Sequence, residues 1–305
     1  MKKEEKPYLR FDSISEAHRA FGLPQPQHPL ISLIDNTTTP ADPDKLRQPH
    51  VLTFFKISYR SNLSGRLKYG QGYYDFQEGG LLFASPNQLV SRHEDNEDYA
   101  GYTLLIHPDF ILSYPLARKI RQYGFFSYSA NEALHLSEKE KATVLSIFRI
   151  IEEELNSRID DFSQDVIIAQ IELLLNYANR FYKRQFITRK AVHNELLEKL
   201  EALLDDYFDT EKPLTLGIPT VQYLAEHLHY SPSYLSDMLR SLTGQSAQQH
   251  IHNKLIGKAK ELLSATSLSV SEVAYQLGFE HPQSFSKLFR AKANLSPLEF
   301  RHSFN

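Results

Sequence analysis

Between residues 51 and 106 apolar and aromatic residues come in short runs: VLTFFKISY, YYDF, LLFASP and YTLLI. Turn formers such as Gly70, Gly72 and the Gly79-Gly80 pair separate them. Runs of this length and composition predict an antiparallel sandwich or small barrel. The proline-rich GLPQPQHPLISLID ahead of them reads as an irregular lead-in. The charges of RHEDNEDY (92–99) crowd together as they do in a solvated loop.

After Pro108 the apolar period lengthens. Ser137 followed by Glu140 is a capping-box start for a helix running to about Asn156. Val144, Phe148, Ile151 and Leu155 recur along it at helical spacing. A second helix, from about Ser163 to Gln185, carries Ile167, Ile171, Leu174, Ala178 and Phe181 in the same rhythm. Two adjoining helices of this kind predict an antiparallel hairpin whose apolar stripe serves as a dimer seam through Phe148, Ile151, Ile171 and Leu174. The alternative is that both stripes pack onto the preceding sheet. FITRKAVHNE (186–195) reads as a polar connector, NELLEKLEALLDDYF as a helix ending near Asp209, and EKPLTLGIP as a loop.

The last third of the chain repeats itself. At an offset of 49, Val221, Ala225, Leu228 and Tyr230 fall on Val270, Ala274, Leu277 and Phe279. After one inserted residue, Pro232, Leu235, Ser236, Arg240, Gly244 and Ser246 fall on Pro282, Phe285, Ser286, Arg290, Asn294 and Ser296. Each copy has a helix with a small residue at its crossing point, a tight turn, and a second helix that begins at proline. That is a helix-turn-helix arrangement, in which a turn glycine such as Gly278 is frequent. The aromatic that follows the turn, Tyr230 or Phe279, fastens it to the core.

On the second helix of the second copy, Gln283, Ser286, Lys287 and Arg290 lie at i, i+3, i+4 and i+7, opposite Phe285, Leu288 and Phe289. The matching stripe in the first copy is Ser233, Ser236, Asp237 and Arg240. Hydroxyls, an amide and long cations are the groups that pair with base edges and phosphates. Between the copies, Ile251, Leu255, Ala259 and Leu262 predict a continuous helix over 248–263. At 1.5 Å per residue it is about 24 Å long, and with its flanking turns it can hold two recognition helices about 34 Å apart. Lys254 and Lys258 on it are like charges one turn apart, which calls for a nearby anion; a phosphate would serve, and a plain solvated face is the alternative.

Composition narrows the field. The 305 residues suffice for two domains. Cysteine is absent, which removes disulfides, thiolate metal sites and cysteine nucleophiles. MKKEEKPYLRF has no apolar core, so it does not read as a secretory signal, and no run is long enough to span a membrane. A cytoplasmic protein is the default expectation. The net charge of −3 conceals 8 Lys/Arg against 6 Asp/Glu in 213–305 and 26 against 31 before it. No converging acid/base or nucleophile set is evident, so an enzyme is not expected. No cofactor or metal site is expected either. His50, His93 and His107 do not form a paired-histidine metal pattern, and the two histidines of HIH (250–252) point apart on a helix.

SVSEVAYQLGFEHPQSFSKLFRAKANLSPLEFR closely resembles the second half of the DNA-binding domain of AraC/XylS-type transcription regulators. LAEHLHYSPSYLSDMLRSLTGQS resembles the first half. The resemblance is strong over about 196–305, and the lead-in and the ALHLSEKEK helix start extend it over the chain. Two positions depart from the pattern: Asn294 replaces a usual glycine, and Asp237 stands where a cation is frequent. An acid there can accept from cytosine N4 or hold a neighbouring cation. The resemblance implies an α+β chain in three parts. These are an all-β cupin-like jelly roll that senses an effector (1–135), an appended helical hairpin and linker for dimerisation (136–192), and an all-α domain of two helix-turn-helix units (193–305). The expected partners are double-stranded DNA, a second copy of the chain, RNA polymerase and a small-molecule effector, with activation as the expected outcome. The alternative is an N-terminal domain that only dimerises or binds a protein. Phe54, Tyr59, Tyr73, Phe76 and Tyr102 are candidate pocket aromatics, though most are expected in the core.

Overall fold

The computed structural model describes residues 8–303, apart from 40, 43–44, 46–47, 62–66, 70–71, 75–78, 91–99, 130–131, 158–159, 161 and 189. The chain divides into two compact units, Met1–Thr188 and Arg189–Asn305. It is α+β: a β-rich unit with helices after the strands, then an all-helical unit.

The first unit opens with β1 (Leu9–Phe11), α1 (Ile14–Ala20), β2 (Ile31–Asp35), β3 (His50–Leu52), β4 (Phe55–Arg60), β5 (Leu67–Tyr69), β6 (Gly72–Tyr74), β7 (Gly80–Ala84), β8 (Leu89–Val90) and β9 (Tyr102–Ile106). Two short helical segments, α2 (Pro108–Ile111) and α3 (Leu116–Lys119), lead to β10 (Leu134–His135). The main sheet is antiparallel with strand order β10-β7-β4-β9-β2, beside a three-stranded sheet β1-β3-β8 and the hairpin β5-β6. Ile57, Leu81, Leu104 and Ile106 are fully buried at its centre.

The local expectations fare differently here. The lead-in is not wholly irregular, because Ile31–Asp35 forms edge strand β2 and pairs with β9 along its length. The strand pairs described within 51–106 are antiparallel, as expected of that stretch, and β1, which lies outside it, runs parallel to β3. Helix α1 went unread although its signal is present: Ser13 Oγ accepts from Glu16 N at 3.2 Å, and Glu16 Oε2 accepts from Asp12 N at 3.2 Å. The acidic stretch with Glu94, Asp95, Glu97 and Asp98, together with His93 and Phe76, lies outside the described residues, as does the side chain of Tyr73. Phe54 and Tyr59 are buried, and Tyr102 stacks on Phe148 at 5.5 Å.

Helices α4 (Glu138–Asn156) and α5 (Ser163–Thr188) follow. The capping box at Ser137 and Glu140 is present, and Glu140 also receives Arg184 of α5 at 3.0 and 2.7 Å. A third bond from Arg184, to the His135 carbonyl at 2.9 Å, locks α5 to β10. Phe148, Ile151, Ile171 and Leu174 are each 0% exposed within the single chain. They are core, which corrects the dimer seam expected of them: the two stripes face each other and the sheet, as the alternative held. Phe148→Ala is therefore expected to cost about 3–5 kcal/mol of stability, measurable by denaturant unfolding. An unchanged midpoint with altered oligomeric state would restore the seam.

The connector expected at 186–195 is helical on both sides of residue 189. α5 runs on to Thr188 because Phe186 is buried, with its ring 6.0 Å from that of Tyr182, and α6 spans Lys190–Asp209. EKPLTLGIP likewise contains a short helix, α7 (Lys212–Leu216), started by Pro213 and stopped at Gly217, φ 77°. Then come α8 (Val221–Leu228), α9 (Pro232–Thr243), α10 (Ala247–Ala265), α11 (Val270–Gln276), α12 (Pro282–Ala293) and α13 (Pro297–His302). Leu255, Ala259, Val273, Ala274, Leu277, Phe279, Phe285 and Phe289 close one core around α10, α11 and α12. No helix among the described residues is long and apolar enough to cross a membrane.

Candidate nucleic-acid interface

The repeat read from the sequence is a repeat of backbone geometry. Thr220 and Ser269 cap α8 and α11, each accepting from the amide three residues on. Ala225 and Ala274 are fully buried at the helix crossings. α9 and α12 both begin at proline, run twelve residues, and end on a left-handed residue, Gly244 (φ 75°) or Asn294 (φ 59°). Ser246 and Ser296 then open α10 and α13 with capping boxes completed by Gln249 and Glu299.

Each turn also holds one left-handed residue. Gly278 has φ 89°, and its counterpart at the offset of 49 is His229, φ 61°. The copies differ here for a steric reason. A Cβ on Gly278 would lie 2.5 Å from the Gly217 carbonyl carbon and 2.9 Å from Ile218 N, so only glycine fits. The buried Tyr207 of α6 fixes that contact by donating to the Gly217 carbonyl at 2.9 Å.

The two stripes differ in charge. On α12, Gln283, Lys287 and Arg290 are exposed and Ser286 is half-buried, while Phe285 and Phe289 are sealed beneath them. Lys292 stands in the last turn, and α12 carries no carboxylate. Ser284, outside the stripe read from the sequence, is also exposed in the first turn, whereas its counterpart Tyr234 is buried. On α9, Ser233, Ser236 and Asp237 are half-buried and Arg240 is exposed. Arg240 Nη1 donates to Asp237 Oδ1 at 2.7 Å, so the acid holds the neighbouring cation.

The lysines of α10 point to a different role from the one the sequence suggested. Lys254 pairs with Asp205, and Lys258 with Asp209 at 2.7 Å and Glu261 at 3.5 Å. The hydrogen bond to Asp209 raises the pKa of Lys258 against the opposing effect of burial. Protein carboxylates supply the anion the spacing called for, so the spacing no longer argues for phosphate at Lys254 and Lys258. The signal was legible: Asp205 and Asp209 are spaced i, i+4 on α6, the mirror of the lysine pair. These part-exposed pairs are worth at most about 1 kcal/mol each. Their effect is to fix α10 against α6.

The HIH histidines hold separate partners, His250 Nε2 on Thr243 Oγ1 at 2.9 Å and His252 Nε2 on Gln248 at 2.8 Å. Among the described residues no three His, Cys, Asp or Glu side chains are grouped to hold a metal.

Comparison with known families completes the picture. Residues 224–303 match the model of a helix-turn-helix domain, and residues 39–171 that of the AraC-like ligand binding domain. The chain belongs to the AraC family of transcription regulators. An AraC-type regulator binds DNA and is not an enzyme. The uncharacterized HTH-type transcriptional regulator YfiF of Bacillus subtilis (strain 168) is 24% identical over 258 residues, 83% of this chain and 78% of YfiF. The HTH-type transcriptional activator RhaS of Salmonella paratyphi B is 30% identical over 148 residues, covering 48% of this AraC-family chain and 51% of RhaS. Among solved structures, the C-terminal domain of the response regulator yesN from Fusobacterium nucleatum is 29% identical. It covers 34% of this chain and 95% of its own, with a TM-score of 0.30.

Proposed function

We propose that α9 and α12 are reading helices that enter successive major grooves on one face of a duplex, with α10 spacing them about one helical turn apart. The observation that carries this reading is α12, whose exposed stripe joins an amide, hydroxyls and cations and has no acid to repel phosphate. Gln283, Ser286 and Lys287 lie in the first turns, where base edges are reached; Arg290, a turn later, faces phosphate. On α9, Ser233 and Ser236 read bases, while Asp237 restrains Arg240. α12 thus supplies most of the affinity, and α9 adds selectivity.

In this reading residues 193–305 hold DNA, 136–192 contribute to a homodimer, and 1–135 take a small-molecule signal in the cytoplasm. Activation through contact with RNA polymerase is the proposed outcome; RhaS, matched over half its length, is named an activator. The dimer surface cannot be the sealed faces of α4 and α5. The exposed Val166, Ala169 and Leu173 on the outward side of α5 remain for it.

Salt-dependent gel shifts with genomic fragments test DNA binding itself. Asp237→Asn tests the division of labour. Freeing Arg240 and removing a negative charge is expected to tighten binding to all sequences alike, about threefold to tenfold at low salt, and to steepen the salt slope by up to one unit. A loss of preference at one cytosine instead would mean that Asp237 reads a base.

A further inference from the structure

The first unit contains a cavity of about 230 Å³ between α1, the 23–27 loop, β2 and the C-terminal end of α4. Its polar wall includes His18, Gln27, Asp35, Thr38, Glu152 and Asn156. β2 is the last strand of the main sheet, so this space lies at the sheet's open edge. Most of it falls before or at the first residues matched by the ligand-binding family model, which begins at residue 39.

The chemistry of the wall is one-sided. His18 is 4% exposed, and its Nδ1 lies 2.5 Å from the Pro24 carbonyl oxygen. A carbonyl only accepts, so Nδ1 carries the proton and Nε2 keeps a lone pair. That Nε2 is buried and has no partner among the described residues. Burial lowers the His18 pKa, opposed in part by the hydrogen bond to the Pro24 carbonyl. Asp35 uses one carboxylate oxygen on the Thr37 amide at 2.9 Å. Gln27 Nε2 donates to Asn156 Oδ1 at 2.6 Å. The Glu152 pKa is raised by burial, then by Asp35 and Glu153, with Arg149 opposing. Asp35 and Glu152 both line a space that no Lys or Arg lines, with the His18 ring beside it. Leu23, Pro24 and Ile31 supply aliphatic contact, and no Phe, Tyr or Trp offers a stacking face.

We infer that this cavity binds a short aliphatic amine or diamine, its ammonium group set between Asp35 and Glu152 and its methylenes against the aliphatic wall. Anions are disfavoured by the acidic pair, and planar rings find nothing to stack on. At about 230 Å³ the space admits a ligand of several non-hydrogen atoms. As the sensory input of the regulator proposed above, the inference rests on that reading. It is tested without DNA, so failure of one leaves the other standing.

Calorimetric titration of the full chain with 1,4-diaminobutane and with ethanolamine, against glycerol and acetate, tests it. At least one amine is expected to bind with Kd of about 1 mM or tighter, with neither control binding. Asp35→Asn and Glu152→Gln are each expected to weaken it roughly tenfold or more. Glu152→Gln also removes a carboxylate whose folded-state pKa is raised, and which therefore opposes folding at neutral pH. Its melting temperature should rise, so that lost binding is not lost folding. No amine binding at about 10 mM, glycerol binding as well as the amines, or binding undiminished in both variants would overturn the inference.

Discussion

Gly278→Val is expected to disrupt the second helix-turn-helix outright. Two effects add at this position. The backbone is left-handed at φ 89°, which costs a β-branched residue about 1–3 kcal/mol. The new Cβ would also press on the Gly217 backbone at 2.5 Å, and backbone cannot swing aside as a flexible side chain can. Overpacking of this kind adds about 1–3 kcal/mol. For a unit of this size the sum lowers the melting temperature by roughly 10 °C or more. His229→Val, at the equivalent turn of the first copy, meets only the backbone preference and should cost less. Scanning calorimetry of the full chain separates the two; equal melting temperatures for wild type and Gly278→Val would refute the turn geometry.

The second large effect is on DNA. Lys287 is exposed one turn into α12, while Arg290 is exposed nearer its C-terminus. A helix that enters the groove by its N-terminal turns reaches bases with the first and phosphate with the second. Lys287→Ala is then expected to cost about 1–3 kcal/mol at the preferred site and to relax one or two base positions. Arg290→Ala should weaken binding to every sequence alike and reduce the salt slope by about one unit. Ser236→Ala should change preference about 10 base pairs away, the distance set by α10.

Much of the second unit was legible because its information is local and stated twice. Pro232 and Pro282, Gly244 and Asn294, and Ser246 and Ser296 each fix one backbone event, and the structure realises each pair as the same event. The lysines of α10 were harder to place, because their partners sit 49 residues away on α6 and only the matching i, i+4 spacing linked them. The alternation of the first unit announced its strands, but pairing is set by distant residues. Nothing in PYLRF alone requires a parallel partner at β3. Periodicity likewise marked Phe148 and Ile171 as apolar without saying what they face, and the chain itself covers them. The cavity at β2 was hidden for a related reason. Its acidic pair joins Asp35 to Glu152, far apart in the chain, and the proline-rich approach concealed the strand that carries Asp35.

The most direct test of α9 and α12 as reading helices is a binding titration on a randomised duplex library at two salt concentrations. It compares wild type, Lys287→Ala, Arg290→Ala and Ser236→Ala. The expected result is base preference lost at separate positions, one helical turn apart, for Lys287→Ala and Ser236→Ala, with Arg290→Ala changing only the salt slope. Base preference left intact by both Lys287→Ala and Ser236→Ala would contradict the account.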